Sequence, residues 1–139
     1  MSAVEYLNPP GLPPAQGLYS QAGRGDPKTL VFVAGQLSVG DHGEVVGKGD
    51  FARQFDQVFS NLGAVLRGIG ADYAAVVKFT TFLVEPDDID TFMTLRAAMF
   101  PKLFPARTYP PNTLLIVKRL VKAEFLLEVE AVVSLAAQN

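Results

Sequence analysis

Glu128 and Glu130 are the residues of this chain whose type and spacing best suit chemistry. They lie in the closing stretch PPNTLLIVKRLVKAEFLLEVEAVVSL, where two apolar, strand-like runs flank a charged turn. Carboxylates two apart on a strand point to the same side. Leu126, Glu128, Glu130 and Val132 therefore share one face, and Phe125, Leu127, Val129, Ala131 and Val133 form an opposite face that is pure core. An acid on the mixed face can hold a water and take its proton. Set against that is a structural reading, in which Glu128 pairs with Lys118 or Arg119; Glu130 reads as structural.

Other chemistries find little support. His42, the only histidine, sits in the turn Asp41-His42-Gly43; no serine or acid motif completes a triad, and a lone histidine makes no metal site. The glycines of GDHG and GKGD lack the spacing of a phosphate loop. With no cysteine, thiolate nucleophiles, disulfides, zinc thiolates and iron-sulfur clusters are excluded. Twelve basic against fourteen acidic residues give a net charge of -2 with no basic cluster, which speaks against nucleic acid as a partner. The N-terminus has no leader pattern, and no run reaches the roughly 18 apolar residues of a membrane span. A soluble, cytoplasmic protein is expected.

At 139 residues and 49% hydrophobic content the chain suits a single domain, 1–139. Residues 1–16 read as an extended arm, since EYLNPPGLPPAQ holds four prolines that remove backbone donors. The arm leads into a first strand at about 17–22, a buried strand TLVFVAGQ at 29–36, and a short strand at EVVG. From Asp50 to Gly70, Phe51, Phe55, Val58, Phe59, Leu62, Val65, Leu66 and Ile69 recur at steps of three and four. This is a helical stripe, capped by Asp50 and stopped by Gly70. YAAVVKFTTFLV (73–84) is a long strand, and PDDID opens a second helix that Pro101 and Pro105 should end near residue 100. The last two strands read as a hairpin turning at about 121–124. The fold class is α+β, a single two-layer domain whose mixed sheet carries two helices on one face. Several strands are apolar on both faces, and nothing remains to cover the second, so other copies of the chain should bury it.

Tyr19 in GLYSQ, the AGQ at 34–36, GDFARQFDQVFSNLGAVLRGIGA, VVKFTTFLV and EVEAV together resemble the Rid (YjgF-type reactive intermediate deaminase) family over roughly 15–134. The resemblance implies a chorismate-mutase-like homotrimer with a site in each interface. It also implies cofactor-free and metal-free hydrolysis of 2-imino acids, or their enamine tautomers, to 2-keto acids and ammonia. By position, Tyr19 would wall the cleft, Ala34 and Gly35 would supply backbone contacts, and Glu128 would position water. Ribonuclease activity, described for some members, is disfavoured by the chain's acidity and its single histidine.

The departure is at the carboxylate anchor, where deaminating members carry an arginine seven residues before a second arginine; seven before Arg119 stands Asn112. The Pro-Ala-Arg-Thr at 105–108 is followed by Tyr109-Pro110-Pro111, which places Arg107 in the loop before the strand. Four residues beyond Phe92, where an asparagine often approaches the site in the family, stands Arg96. Arg96 is a surface residue by default, its stem covering the core edge, yet it could fork onto a ligand carboxylate from a new direction. Asn112 is a further candidate ligand contact. Two functions remain open: an imine or enamine deaminase acting on small carboxylate-bearing metabolites, and a non-catalytic member that binds small molecules or proteins.

Overall fold

The computed structural model describes residues 4–136, which run β1 (Val4–Leu7), β2 (Ala22–Gly25), β3 (Leu30–Gln36), α1 (Phe51–Gly68), β4 (Val76–Leu83), α2 (Asp88–Leu103), β5 (Asn112–Ile116) and β6 (Leu127–Ser134). The ends of α1 follow from local chemistry. Asp50 accepts a hydrogen bond from the Arg53 N–H at 3.0 Å and caps the first turn. At the other end Gly70, at φ +78°, turns the chain left-handed, and the N–H groups of Gly70 and Ala71 return to the carbonyls of Arg67 and Leu66. That is a Schellman closure.

Four strands form one sheet in the order β3-β6-β4-β5, with β4 and β5 parallel and the other neighbours antiparallel. The expected hairpin between the last two strands is therefore overturned. β5 lies at an edge on β4, and β6 crosses to the centre between β3 and β4. The physical reason is burial: Leu127, Val129, Ala131 and Val133 of β6 are all buried, which an interior strand satisfies, whereas Leu115 and Ile116 of β5 stay partly exposed.

Other boundaries shift as well. The first strand is expected at 17–22, but these residues are irregular and strand geometry begins at Ala22. β1 lies inside the proline arm and pairs antiparallel with β2, from Val4 opposite Gly25 to Leu7 opposite Ala22. EVVG gives only a single bridge, Val39 to Val45. α2 continues through Pro101 to Leu103, because a proline in the last turn forfeits only one helical bond.

Both helices pack on one face, where Phe55, Phe59, Phe79, Phe92, Phe100 and Phe104 interlock with ring centroids 4.7 to 6.4 Å apart. The opposite face holds Leu30, Phe32, Lys78, Thr80, Phe82, Glu128, Glu130 and Val132, and Phe32 is 75% exposed there. Among the described residues no helix is long and apolar enough to cross a membrane.

Candidate functional site

Glu128 lies on β6 opposite Phe82 of β4, on the open face of the sheet. On its other side β3 is irregular. Val33 pairs with Ala131 and Gln36 with Val129, so Ala34 and Gly35 together face the single residue Glu130. This bulge carries the Gly35 backbone up to the Glu128 side chain, and a Cβ on Gly35 would overlap the carboxylate. Only glycine permits the approach. The Ala34 carbonyl, also expected to contact a ligand, accepts a bond from the Gln36 side chain at 3.0 Å.

Among the described residues the Glu128 side chain has no ion pair and no hydrogen bond. The two ion pairs there, Arg24–Glu5 and Lys48–Glu124, lie elsewhere, and the Arg119 guanidinium bonds the carbonyls of Leu120 and Val121. Partial burial, and secondarily the charge of Glu130, push the Glu128 carboxyl above the usual glutamate range. The result is a half-exposed, under-solvated proton acceptor with free lone pairs.

The other candidates lie on the helix side. Asn112 begins β5 beside Phe79, and its side-chain oxygen accepts the Thr81 hydroxyl at 2.7 Å. Arg96 is 2% exposed, which corrects the expectation of a surface residue: Phe92, Arg96 and Phe100 fall at steps of four on the buried stripe of α2. Its guanidinium stands 5.2 Å from the Phe92 ring centroid and 6.0 Å from that of Phe100. Half-buried Tyr19 is close enough to act electrostatically on Arg96, while its own hydroxyl accepts from the Gln16 N–H at 3.1 Å. Arg107 is in the loop before β5, as expected, exposed and at φ +57°. His42 is an exposed turn residue.

The six candidates thus form separate groups: Glu128 with Gly35 and Ala34 on the open face, Arg96 with Tyr19 under the arm, and Asn112 with Thr81. The strand alternation that makes the core puts Glu128 and Asn112 on opposite sides of the sheet. Gln54 is a residue that sequence reasoning missed. Wholly buried, it accepts the Leu126 N–H at 2.9 Å and donates to the carbonyls of Gly47 and Glu124. It thereby fixes the backbone two residues before Glu128. A glutamine in the apolar stripe, three residues after Phe51 and four before Val58, was its signal. Among the described residues no cluster of acids and histidine could hold a metal ion.

The α+β fold, a mixed sheet with two helices, matches that of the YjgF and TdcF structures. The chain belongs to the Rid/YjgF family, matching the family model described as Endoribonuclease L-PSP over residues 11–135. It is 36% identical over 105 residues to Reactive Intermediate Deaminase A, chloroplastic, of Arabidopsis thaliana, covering 75% of this chain and 54% of that one. The match thus spans about half the length of the plant relative. It is 33% identical over 95 residues to the 2-iminobutanoate/2-iminopropanoate deaminase of Bos taurus, covering 68% of each chain. Among solved structures, the Rid protein YyfB from Yersinia pestis superposes with a TM-score of 0.84 at 29% identity, covering 96% of this chain and 99% of that one. E. coli TdcF with bound serine superposes with a TM-score of 0.69 at 26% identity, covering 95% and 99%.

Proposed function

We propose that this protein is a homotrimeric hydrolase of small 2-imino acids and their enamine tautomers, working in clefts between subunits. The observation that carries the reading is the Glu128 carboxylate, unpaired among the described residues, raised in proton affinity and lying against the Gly35 bulge. Relatives at about this level of identity are imine deaminases. The bare sheet face, with Phe32 75% exposed and Leu30 and Leu115 beside the same surface, supports burial against further copies. Because Glu128 and Asn112 face opposite sides of one sheet, a ligand touching both types of group needs them from two chains.

The chemistry is simple. An imine carbon is already electrophilic, so the protein has to orient the substrate and place water. Glu128 accepts a proton as the water oxygen bonds to the imine carbon. The proton passes to nitrogen as the carbon–nitrogen π bond opens, giving a carbinolamine. Glu128 then takes the hydroxyl proton and returns it to nitrogen while the carbon–oxygen double bond forms, the carbon–nitrogen bond breaks, and ammonia leaves the 2-keto acid. A carboxylate whose proton affinity is raised towards the working pH suits taking and returning a proton.

The test is a coupled assay in which an amino-acid oxidase generates 2-iminopropanoate and larger 2-imino acids and semicarbazide traps the remainder. Wild type should accelerate imine decay, and Glu128→Gln should lose most of the acceleration. Absence of acceleration by wild type on every imino acid would move the function to ligand binding without catalysis. Light scattering should give three times the 15.0 kDa chain mass; a single-chain mass at micromolar concentration would remove both the trimer and its clefts.

A further inference from the structure

Arg96 poses a problem that packing does not explain. Its guanidinium is stacked on Phe92 and near Phe100, and its hydrogen-bond acceptor among the described residues is the Met93 thioether, 3.0 Å from Nη2. Sulfur is a weak acceptor, and a guanidinium has five donors. No carboxylate among the described residues pairs with it. Burial lowers its proton affinity, but an arginine starts so high that the charge persists. Buried charges are ordinarily paired with an opposite charge, because taking one out of water alone is unfavourable. Among the described residues no fully sealed side-chain nitrogen lacks a hydrogen bond, so the guanidinium donors that do not meet Met93 keep a narrow opening to solvent. An apolar residue of similar length would fill the same space without that penalty.

What covers the charge is a loop. Residues 8–21 leave β1 and return to β2, closed at the base by the Gln21 N–H to Asn8 Oδ1 bond at 2.9 Å. The Gln21 side chain donates to the Pro13 carbonyl at 3.3 Å, and the Gln16 N–H donates to the Tyr19 hydroxyl at 3.1 Å. The loop tip lies directly on the guanidinium. Gly17 has φ +150°, and a Cβ there would stand 2.5 Å from Arg96 Nη2. Position 17 is thus glycine both for its backbone and to let the loop touch the cation. The loop's side-chain hydrogen bonds are exposed, whereas Leu18 packs against the core and Ser20 is buried, so the part free to lift is the tip up to Gly17.

We propose that Arg96 is an anion seat and that loop 8–21 is its gate: a ligand carboxylate displaces Gly17 and the Met93 sulfur and takes the guanidinium as its partner. The identity of the acid rests on the proposed imine hydrolysis; the seat itself does not. Phe92 and Met93 wall the seat with apolar surface, and among the described residues no second cation lies against it. The fitting class is a 2-oxo or 2-imino monocarboxylate with a short aliphatic side chain, and a dicarboxylate is rejected because its second charge goes unmatched.

The experiment is titration calorimetry of the full chain with 2-oxobutanoate and, for contrast, 2-oxoglutarate, using wild type and Arg96→Met, with amide exchange of residues 15–19 followed alongside. Wild type should bind 2-oxobutanoate in preference to 2-oxoglutarate. Arg96→Met should weaken 2-oxobutanoate about 30-fold or more and raise Tm, and 2-oxobutanoate should alter exchange at 15–19 in wild type only. Equal binding by Arg96→Met would overturn the seat, and unchanged exchange at 15–19 in ligand-saturated wild type would overturn the gate. The wild-type exchange measurement stands even if the variant does not fold. Imine hydrolysis by Arg96→Met at the wild-type kcat/KM, with 2-oxobutanoate binding also unchanged, would sink the seat and spare the deaminase. Arg96-dependent 2-oxobutanoate binding by a wild type that hydrolyses no imine would do the reverse.

Discussion

The two sides of the sheet treat apolar surface and charge in opposite ways. On the helix side, Phe55, Phe59, Phe79 and Phe100 are buried to 3% exposure or less, and the charged group among them, Arg96, is sealed by stacking and a loop. On the open side Phe32 is 75% exposed, and Glu128 stands half in solvent against a bulge. The helix side is complete within one chain. The open side mixes exposed apolar side chains such as Phe32 with Glu128, Glu130 and Lys78, the make-up of a face that further copies would cover in the proposed assembly.

This contrast can be broken from the helix side with the largest effect. Phe59→Ala removes a ring that meets Phe55 at 4.7 Å, Phe100 at 5.7 Å and Phe79 at 6.2 Å, and should cost about 3–5 kcal/mol in denaturant unfolding. Phe32→Ser should leave the unfolding of an isolated protomer within about 0.5 kcal/mol of wild type, yet shift the light-scattering mass toward one chain. A loss at Phe32 as large as that at Phe59, in a chain that remains monomeric throughout, would erase the distinction between the two faces. On the chemical side, Glu128→Gln keeps the shape and removes the proton acceptor, so kcat on 2-imino acids should fall about 100-fold or more, or about 3 kcal/mol in barrier.

Elements whose causes are local were legible in the sequence. Asp50 and Gly70 bound α1 because a cap and a left-handed stop act on residues within one turn. The buried face of β6 followed from alternation, and the α+β class from the order of elements. Strand neighbours were not legible. Adjacency along the chain suggested that the last two strands pair, whereas burial sends β6 between β3 and β4. The candidate site divides in the same way. Glu128 could be placed on the mixed face by period alone, but its meeting with Gly35 depends on a bulge between distant strands. Arg96 reads in the sequence as a surface residue, and its i, i+4 spacing with Phe92 and Phe100 was the overlooked sign of burial; the contact with Gly17, remote in sequence, had no signal there.

The finest test concerns the two glutamates. Burial first and Glu130 second raise the Glu128 carboxyl, so its proton is lost at higher pH in the folded chain than in the unfolded one. The folded state therefore binds that proton more tightly, and the stability this confers is full below the ordinary glutamate range and is lost as pH rises through the raised value. Replacing Glu128 with glutamine should accordingly stabilise the protomer at neutral pH and give no gain at pH 3. Catalysis depends on the ionised form, so the acid limb of kcat/KM should lie above the ordinary glutamate value. Glu130→Gln removes the lesser cause and leaves the larger, so the limb should move to lower pH without reaching that ordinary value. An acid limb unmoved by Glu130→Gln would mean that Glu128 does not set it, and that the open-face carboxylate is a bystander to the proton transfer.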